Sequence, residues 1–149
     1  LYFTVEDSSY GVELTHLVEV ARLSENLILT PQHVRALKAI LMLREQPIPL
    51  IDLREKIQRY PKKYIPQTRA LVLQVGNRKL GVIVDKVHGV IRCPKNVQQN
   101  LPEDHPCINL PFVNGTCTYE ETPLTLIDPT QLITEQEWKA LDKVYQSVA

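Results

Sequence analysis

Residues 43–54, LREQPIPLIDLR, restrict the fold more than any other stretch of the 149-residue chain. Pro47 and Pro49 carry no backbone donor, and each biases the residue before it toward extended geometry, so a helix is excluded there. The expectation is a strand over residues 46–50 at the edge of a sheet, where missing donors do least harm. Leu43, Ile48, Leu50, Ile51 and Leu53 still require burial. Asp52 is placed to cap a short helix running through Glu55 and Lys56. Arg44 ends the apolar run 39–43, just before a turn expected at Glu45 and Gln46, and its planar guanidinium can fork onto a carboxylate. Glu19, which closes a separate apolar run, is the partner this suggests.

The flanking sequence reads mainly as short strands. Runs 1–5 and 10–14 are β-prone and joined by the polar cluster Glu6-Asp7-Ser8-Ser9, a hairpin pattern. The second run is expected to continue through Leu17, Val18 and Val20 and to break at Ser24-Glu25-Asn26. Thr30-Pro31 offers an N-cap and a preset first turn for a short helix over 31–34. Residues 34–43 read equally well as a helical face or as a helical turn followed by a buried strand. A helical turn after Asp52 should stop before Tyr60-Pro61, leaving 62–68 as a mobile basic loop.

The clearest local pattern is 70–87, strand, Gly76-Asn77 turn, strand. Gly81 and Gly89 there mark a bulge or a close backbone approach. Residues 93–111 hold four prolines and read as connection with one short strand at most. Residues 112–119 repeat the hairpin pattern around Asn114-Gly115, and 120–123 turn the chain into a further strand over 124–127. Thr134 and Glu137 form a capping box, and Trp138, Leu141, Val144, Tyr145 and Val148 fall at helical spacing. An amphipathic helix over about 134–147 should therefore lie across the sheets.

With 44% hydrophobic and 23% charged residues, the composition is that of a globular protein. Seventeen basic and seventeen acidic residues cancel, which argues against a bulk electrostatic grip on nucleic acid or an anionic membrane. The balance is uneven: residues 35–69 hold nine Lys or Arg against three acids, and 103–149 hold two against eight. Oppositely charged faces suit a protein that bridges partners. No apolar run has the roughly 20 residues of a membrane helix, so no membrane insertion is expected. The chain opens within a strand pattern, so further residues are expected ahead of Leu1. Cys93, Cys107 and Cys117 are odd in number and lack a CxxC pair, which predicts reduced thiols in a cytosolic protein.

Catalytic motifs are missing from the sequence: it has no GxSxG, HExxH, P-loop or GxGxxG, and its four histidines are scattered. The reading is a non-enzyme without metal or cofactor. Asp85, within Val82-Ile83-Val84-Asp85, reads as a strand-end acid accepting backbone or arginine bonds rather than as a base. One alternative from another class remains, a small-barrel nucleic-acid binder using the basic segment 54–69 with Tyr60 and Tyr64 for stacking.

Four motifs in order, Tyr10-Gly11-Val12-Glu13-Leu14, Val18-Glu19-Val20, Leu43-Arg44 with Pro49-Leu50-Ile51-Asp52-Leu53, and Gly81-Val82-Ile83-Val84-Asp85-Lys86-Val87, resemble the CheW-like adaptor family of bacterial chemosensory systems. The closing stretch 132–149 is similar to the terminal helix of stand-alone members. The resemblance implies a mainly β chain, one domain over 1–149 built of two interleaved, SH3-like, five-stranded β-barrel lobes sharing a core. It selects strand for 39–44. It implies a non-catalytic cytoplasmic scaffold, recruited to membrane-associated receptor arrays, that couples the cytoplasmic tip of chemoreceptors to a CheA-type histidine kinase in motility or phototaxis, with no nucleic acid expected as a partner. By position it makes Leu17, Glu19, Ala39, Ile40 and Arg44 the partner-contact candidates, near a groove between the lobes. The chain departs from the family where Asn-Leu-Arg-Gly is usual, reading Met42-Leu43-Arg44-Glu45, and Ala39 also stands at a usual glycine position. The carboxylate of Glu45 could pair with Arg44 or repel an acidic receptor tip.

Overall fold

The computed structural model describes residues 1–23, 27–29, 37–57, 65–94 and 98–148. Their apolar runs form two curled sheets. The first sheet takes its strands from both ends of the chain: β1 (Tyr2–Val5), β2 (Ser8–Gly11), β9 (Lys86–Gly89), β10 (Val113–Tyr119) and β11 (Thr122–Ile127), in the order β10-β11-β2-β1-β9. The second is built from the middle: β3 (Leu17–Arg22), β4 (Leu27–Leu29), β5 (Leu37–Leu43), β6 (Gln46–Asp52), β7 (Arg69–Val75) and β8 (Arg78–Val84), in the order β3-β7-β8-β6-β5-β4. One parallel pair lies within each otherwise antiparallel sheet, β11 beside β2 and β6 beside β8. These are the two SH3-like lobes, five strands in one and six in the other.

Alternation explains why the second sheet is apolar on both faces. Ile40, Ile51, Leu71 and Val82 enter a core shared with Phe3, Val5 and Tyr10 of the first lobe, while Ala39, Leu41, Leu50, Ala70 and Ile83 fill a separate small core inside the curl. A strand buried on both faces has no polar alternation to show, which is why 34–43 resembled a helix as much as a strand. Residues 37–43 are strand, and the helix expected at 31–34 lies outside the described residues.

The proline strand β6 corrects the expected edge. It lies inside the sheet, paired with β5 along its length, but with β8 only at Leu50, Ile51 and Asp52. Pro47 and Pro49 are two apart, so their donor-less nitrogens face one side, and that is the side left unpaired ahead of Leu50. The close approach of β6 to β8 needs Gly81, where a Cβ would fall 2.2 Å from Leu50 Cδ2.

Asp52 caps α1 (Leu53–Lys56) as expected, accepting from Arg54 N at 3.0 Å. It also holds the Arg54 side chain, from Nε at 3.0 Å and Nη2 at 2.8 Å, with both residues fully buried. Arg54 Nη1 lies 3.6 Å from Asp85 Oδ1, and Asp85 Oδ2 accepts from Glu6 N at 2.6 Å. Asp85 stands where the chain leaves β8 for β9 and so changes sheets, which makes this network a tie between the lobes. That agrees with the structural reading of Asp85. A buried arginine is tolerable only because its donors are met in this way.

Three other expectations change. Leu14–His16 is a 3-10 turn, so β2 and β3 are separate strands in different sheets rather than one run. Asn114-Gly115 is a bulge within one continuous β10 rather than a hairpin turn. Gly115, at φ 149°, lies against the crossing segment, where a Cβ would meet Gln99 O at 2.8 Å. The cysteines are corrected too: Cys93 and Cys117 form a disulfide, and Cys107 lies outside it. Sequence spacing missed the bridge because the partners meet only when 98–100 folds back along β10, where Gln99 and Thr116 exchange backbone bonds of 2.9 and 2.8 Å. The C-terminal helix α2 (Glu135–Val148) follows the capping box, Thr134 N to Glu137 Oε1 at 3.0 Å and Glu137 N to Thr134 Oγ1 at 3.1 Å. Its Trp138 and Leu141 enter the shared core.

Candidate functional site

Strand β3 is an edge strand whose register shifts between Leu17 and Glu19, so Leu17 packs against the shared core while Ala21, beyond the bulge, packs against the small core, and Val18 and Val20 are exposed. The β5–β6 turn comes alongside it. That turn is Arg44-Glu45, one residue earlier than expected, with both residues at positive φ, 49° and 66°. Arg44 then forks onto Glu19, Nη1 to Oε1 at 2.7 Å and Nη2 to Oε2 at 3.4 Å. The sequence pairing of Glu19 with Arg44 is therefore present across 25 residues.

The pair borders a groove of about 190 Å³ that Val18, Leu43, Gln46, Ile48, Val72 and Lys79 also line, all on the second lobe, so this groove lies on one lobe rather than between the two as expected. Arg44 is 76% exposed and Glu19 25% exposed, so the bridge is worth only about 0–1 kcal/mol to the fold. A guanidinium held in a fixed fork beside an open groove is better suited to meeting a partner.

The five candidate residues are not equivalent. Glu19 and Arg44 meet at the groove, and Leu17 is half-buried against the shared core. Ala39 and Ile40 are 4% and 0% exposed, so they reach the groove only through the strand they hold in place. Lys79, Gln46 and Val18 were not singled out from sequence. The alternation of β3 could have indicated Val18, but Lys79 and Gln46 come together only through the parallel pairing of β6 with β8.

The basic segment 54–69 is differently disposed from what a nucleic-acid interface needs. Arg54 is buried in its carboxylate network, Lys56 lies 3.4 Å from Glu137, and Arg69 donates to the backbone carbonyls of Pro66 and Thr68. Tyr60 and Tyr64 lie outside the described residues. Among the described residues no three His, Cys, Asp or Glu gather as a metal site would require, and no helix is long and apolar enough to cross a membrane.

Two curled β lobes on a shared core, with an open groove bordered by Glu19, Arg44 and Lys79 on one of them, define a small double-lobed β protein. The CheW-like domain model matches residues 1–137, and the chain belongs to that family of chemotaxis scaffold and adaptor proteins. It is 27% identical over 149 residues to the chemotaxis protein CheW of Klebsiella aerogenes, covering 99% of this chain and 88% of that protein. Its fold is similar to the crystal structure of the scaffolding protein TtCheW from Thermoanaerobacter tengcongensis, with a TM-score of 0.82 at 23% identity, over 92% of this chain and 88% of that one.

Proposed function

We propose that this chain is a non-catalytic adaptor, acting as a single domain, that couples the cytoplasmic tip of a chemoreceptor to a CheA-type histidine kinase in an array serving motility or phototaxis. The reading places it in the cytoplasm, recruited to the membrane by its receptor. Family membership across residues 1–137 supports the adaptor role, and the exposed Arg44 fork beside an open groove carries the assignment of the receptor contact. In this reading Arg44, Glu19 and Leu17 meet the receptor, while Ala39 and Ile40 position strand β5. The nucleic-acid alternative is not favoured, because every described cation of 54–69 is already engaged.

A pull-down with kinase and receptor fragments from the same organism tests this. Arg44→Glu should weaken receptor capture about tenfold or more, because it reverses a charge at the groove, while circular dichroism shows an unchanged fold. Retention of full receptor binding by the variant would reject the groove. Failure of the unaltered chain to capture either fragment would reject the adaptor role.

A further inference from the structure

Past β9 the described residues have little hold on the core until Leu110, the first to pack against it. Among those of 90–100 none is buried, and Val90 is 65% exposed. Their hydrogen bonds to the rest of the lobe are the two backbone bonds that Gln99 and Thr116 exchange, at 2.9 and 2.8 Å. The other tie is the Cys93–Cys117 disulfide. A stretch with so few buried contacts opens at low cost, so the covalent bond decides whether this one stays closed. The two sulfurs differ in access. Cys117 is 2% exposed on β10, whereas Cys93 is half-buried and lines a cavity of about 290 Å³. Ile91 and Gln98 line the same cavity, together with Val12, Leu124 and Ile127, none of them more than 5% exposed.

We propose that the Cys93–Cys117 pair is a redox switch on the first lobe. Bridged, it holds Cys93 and Gln99 against β10 and keeps the cavity walled; as a dithiol it releases them and opens Val12, Leu124 and Ile127 to solvent. The reductant is a thiol couple of the glutathione kind. One thiolate attacks Cys93 Sγ, the reachable sulfur, the bridge breaks, and Cys117 leaves as a thiolate and takes up a proton. A second thiolate attacks the reductant's sulfur in that mixed disulfide, so Cys93 leaves and is protonated in turn. Two electrons thus pass from two thiols, which become a disulfide, and oxidation reverses the same steps. The switch is independent of the Glu19–Arg44 groove, which lies on the second lobe.

The intact chain is equilibrated in glutathione buffers of set ratio, with the bridge read by alkylation and mass and the fold by amide hydrogen exchange. The bridged fraction should follow the ratio reversibly. In the dithiol form exchange at Gln99 and Thr116 should rise about tenfold or more while β7 and β8 stay protected, and a naphthalene sulfonate dye should bind more strongly. Cys93→Ser and Cys117→Ser should behave as the dithiol form in every buffer, and Cys107→Ser should keep the full response. A bridge that persists in fully reduced glutathione would make it a fixed staple and overturn the switch. So would unchanged exchange and dye binding in the dithiol form, loss of protection in β7 and β8 as well, or a Cys107→Ser variant that no longer responds.

Discussion

Arg44 and Glu45 show what a single turn demands of its residues. A two-residue hairpin of the type I′ kind matches the twist of its strands with positive φ at both central positions, which asparagine and glycine adopt at least cost. Here both positions hold charged side chains, as they do at Glu120-Glu121, where φ is 47° and 68°. Each such residue carries strain of about 1 kcal/mol. Glu45→Gly should therefore raise stability by up to about 0.5 kcal/mol net, the greater freedom of glycine in the unfolded chain offsetting much of the gain. A higher urea midpoint at constant slope would show it. An unchanged or lower midpoint would mean that the Glu45 side chain contributes a contact that outweighs the strain. The turn was legible in the sequence only to within one residue, since nothing in Leu43-Arg44-Glu45-Gln46 has the low cost at positive φ that marks a turn.

The elements are joined by polar latches at their ends. Arg78, at the start of β8, donates to both carboxylate oxygens of Asp142 on α2, at 2.7 and 3.0 Å, and its guanidinium lies 4.9 Å above the Trp138 ring. Those hydrogen bonds, with the opposite charge reinforcing them, hold the Asp142 carboxyl below its usual value. A carboxyl depressed by folding contributes stability that is fully present above its unfolded value of about 4 and is lost as pH falls through the lower folded value. The latch should thus hold at neutral pH and release in acid. Trp138 emission is expected to change below about pH 4, and Asp142→Asn should remove that step. An identical acid transition in the variant would show that other carboxyls control it. The helix itself was readable because capping box and apolar spacing are local; its docking partner Arg78 lies 64 residues away and was not.

At the scale of the molecule, one covalent tie holds Cys93 against β10. Cys93 and Cys117 are 24 residues apart, a loop whose closure in the unfolded chain corresponds to about 3 kcal/mol. Reduction should lower the unfolding free energy by about that amount, read as a difference between urea transitions with and without reductant, with three titratable thiols in the reduced chain against one in the oxidised chain. Equal transitions would show that the Gln99–Thr116 backbone bonds hold the segment by themselves. The two measurements give the stability of the bridged and the dithiol form separately.

The sequence by itself determined the local grammar: the strand forced by Pro47 and Pro49, the Asp52 cap, the Gly76-Asn77 hairpin, the Thr134–Glu137 helix start, and the ordered motifs that indicate the family. These depend on interactions spanning a few residues, whose preferences survive in any context. Tertiary structure decided the rest. It set β6 inside its sheet rather than at the edge, ran β10 straight through Asn114-Gly115, joined Cys93 to Cys117, and brought Gln46 and Lys79 into the groove beside Arg44. Each of those depends on which distant strand lies alongside, and strand pairing is fixed by burial of the whole core, a quantity no single stretch of chain contains.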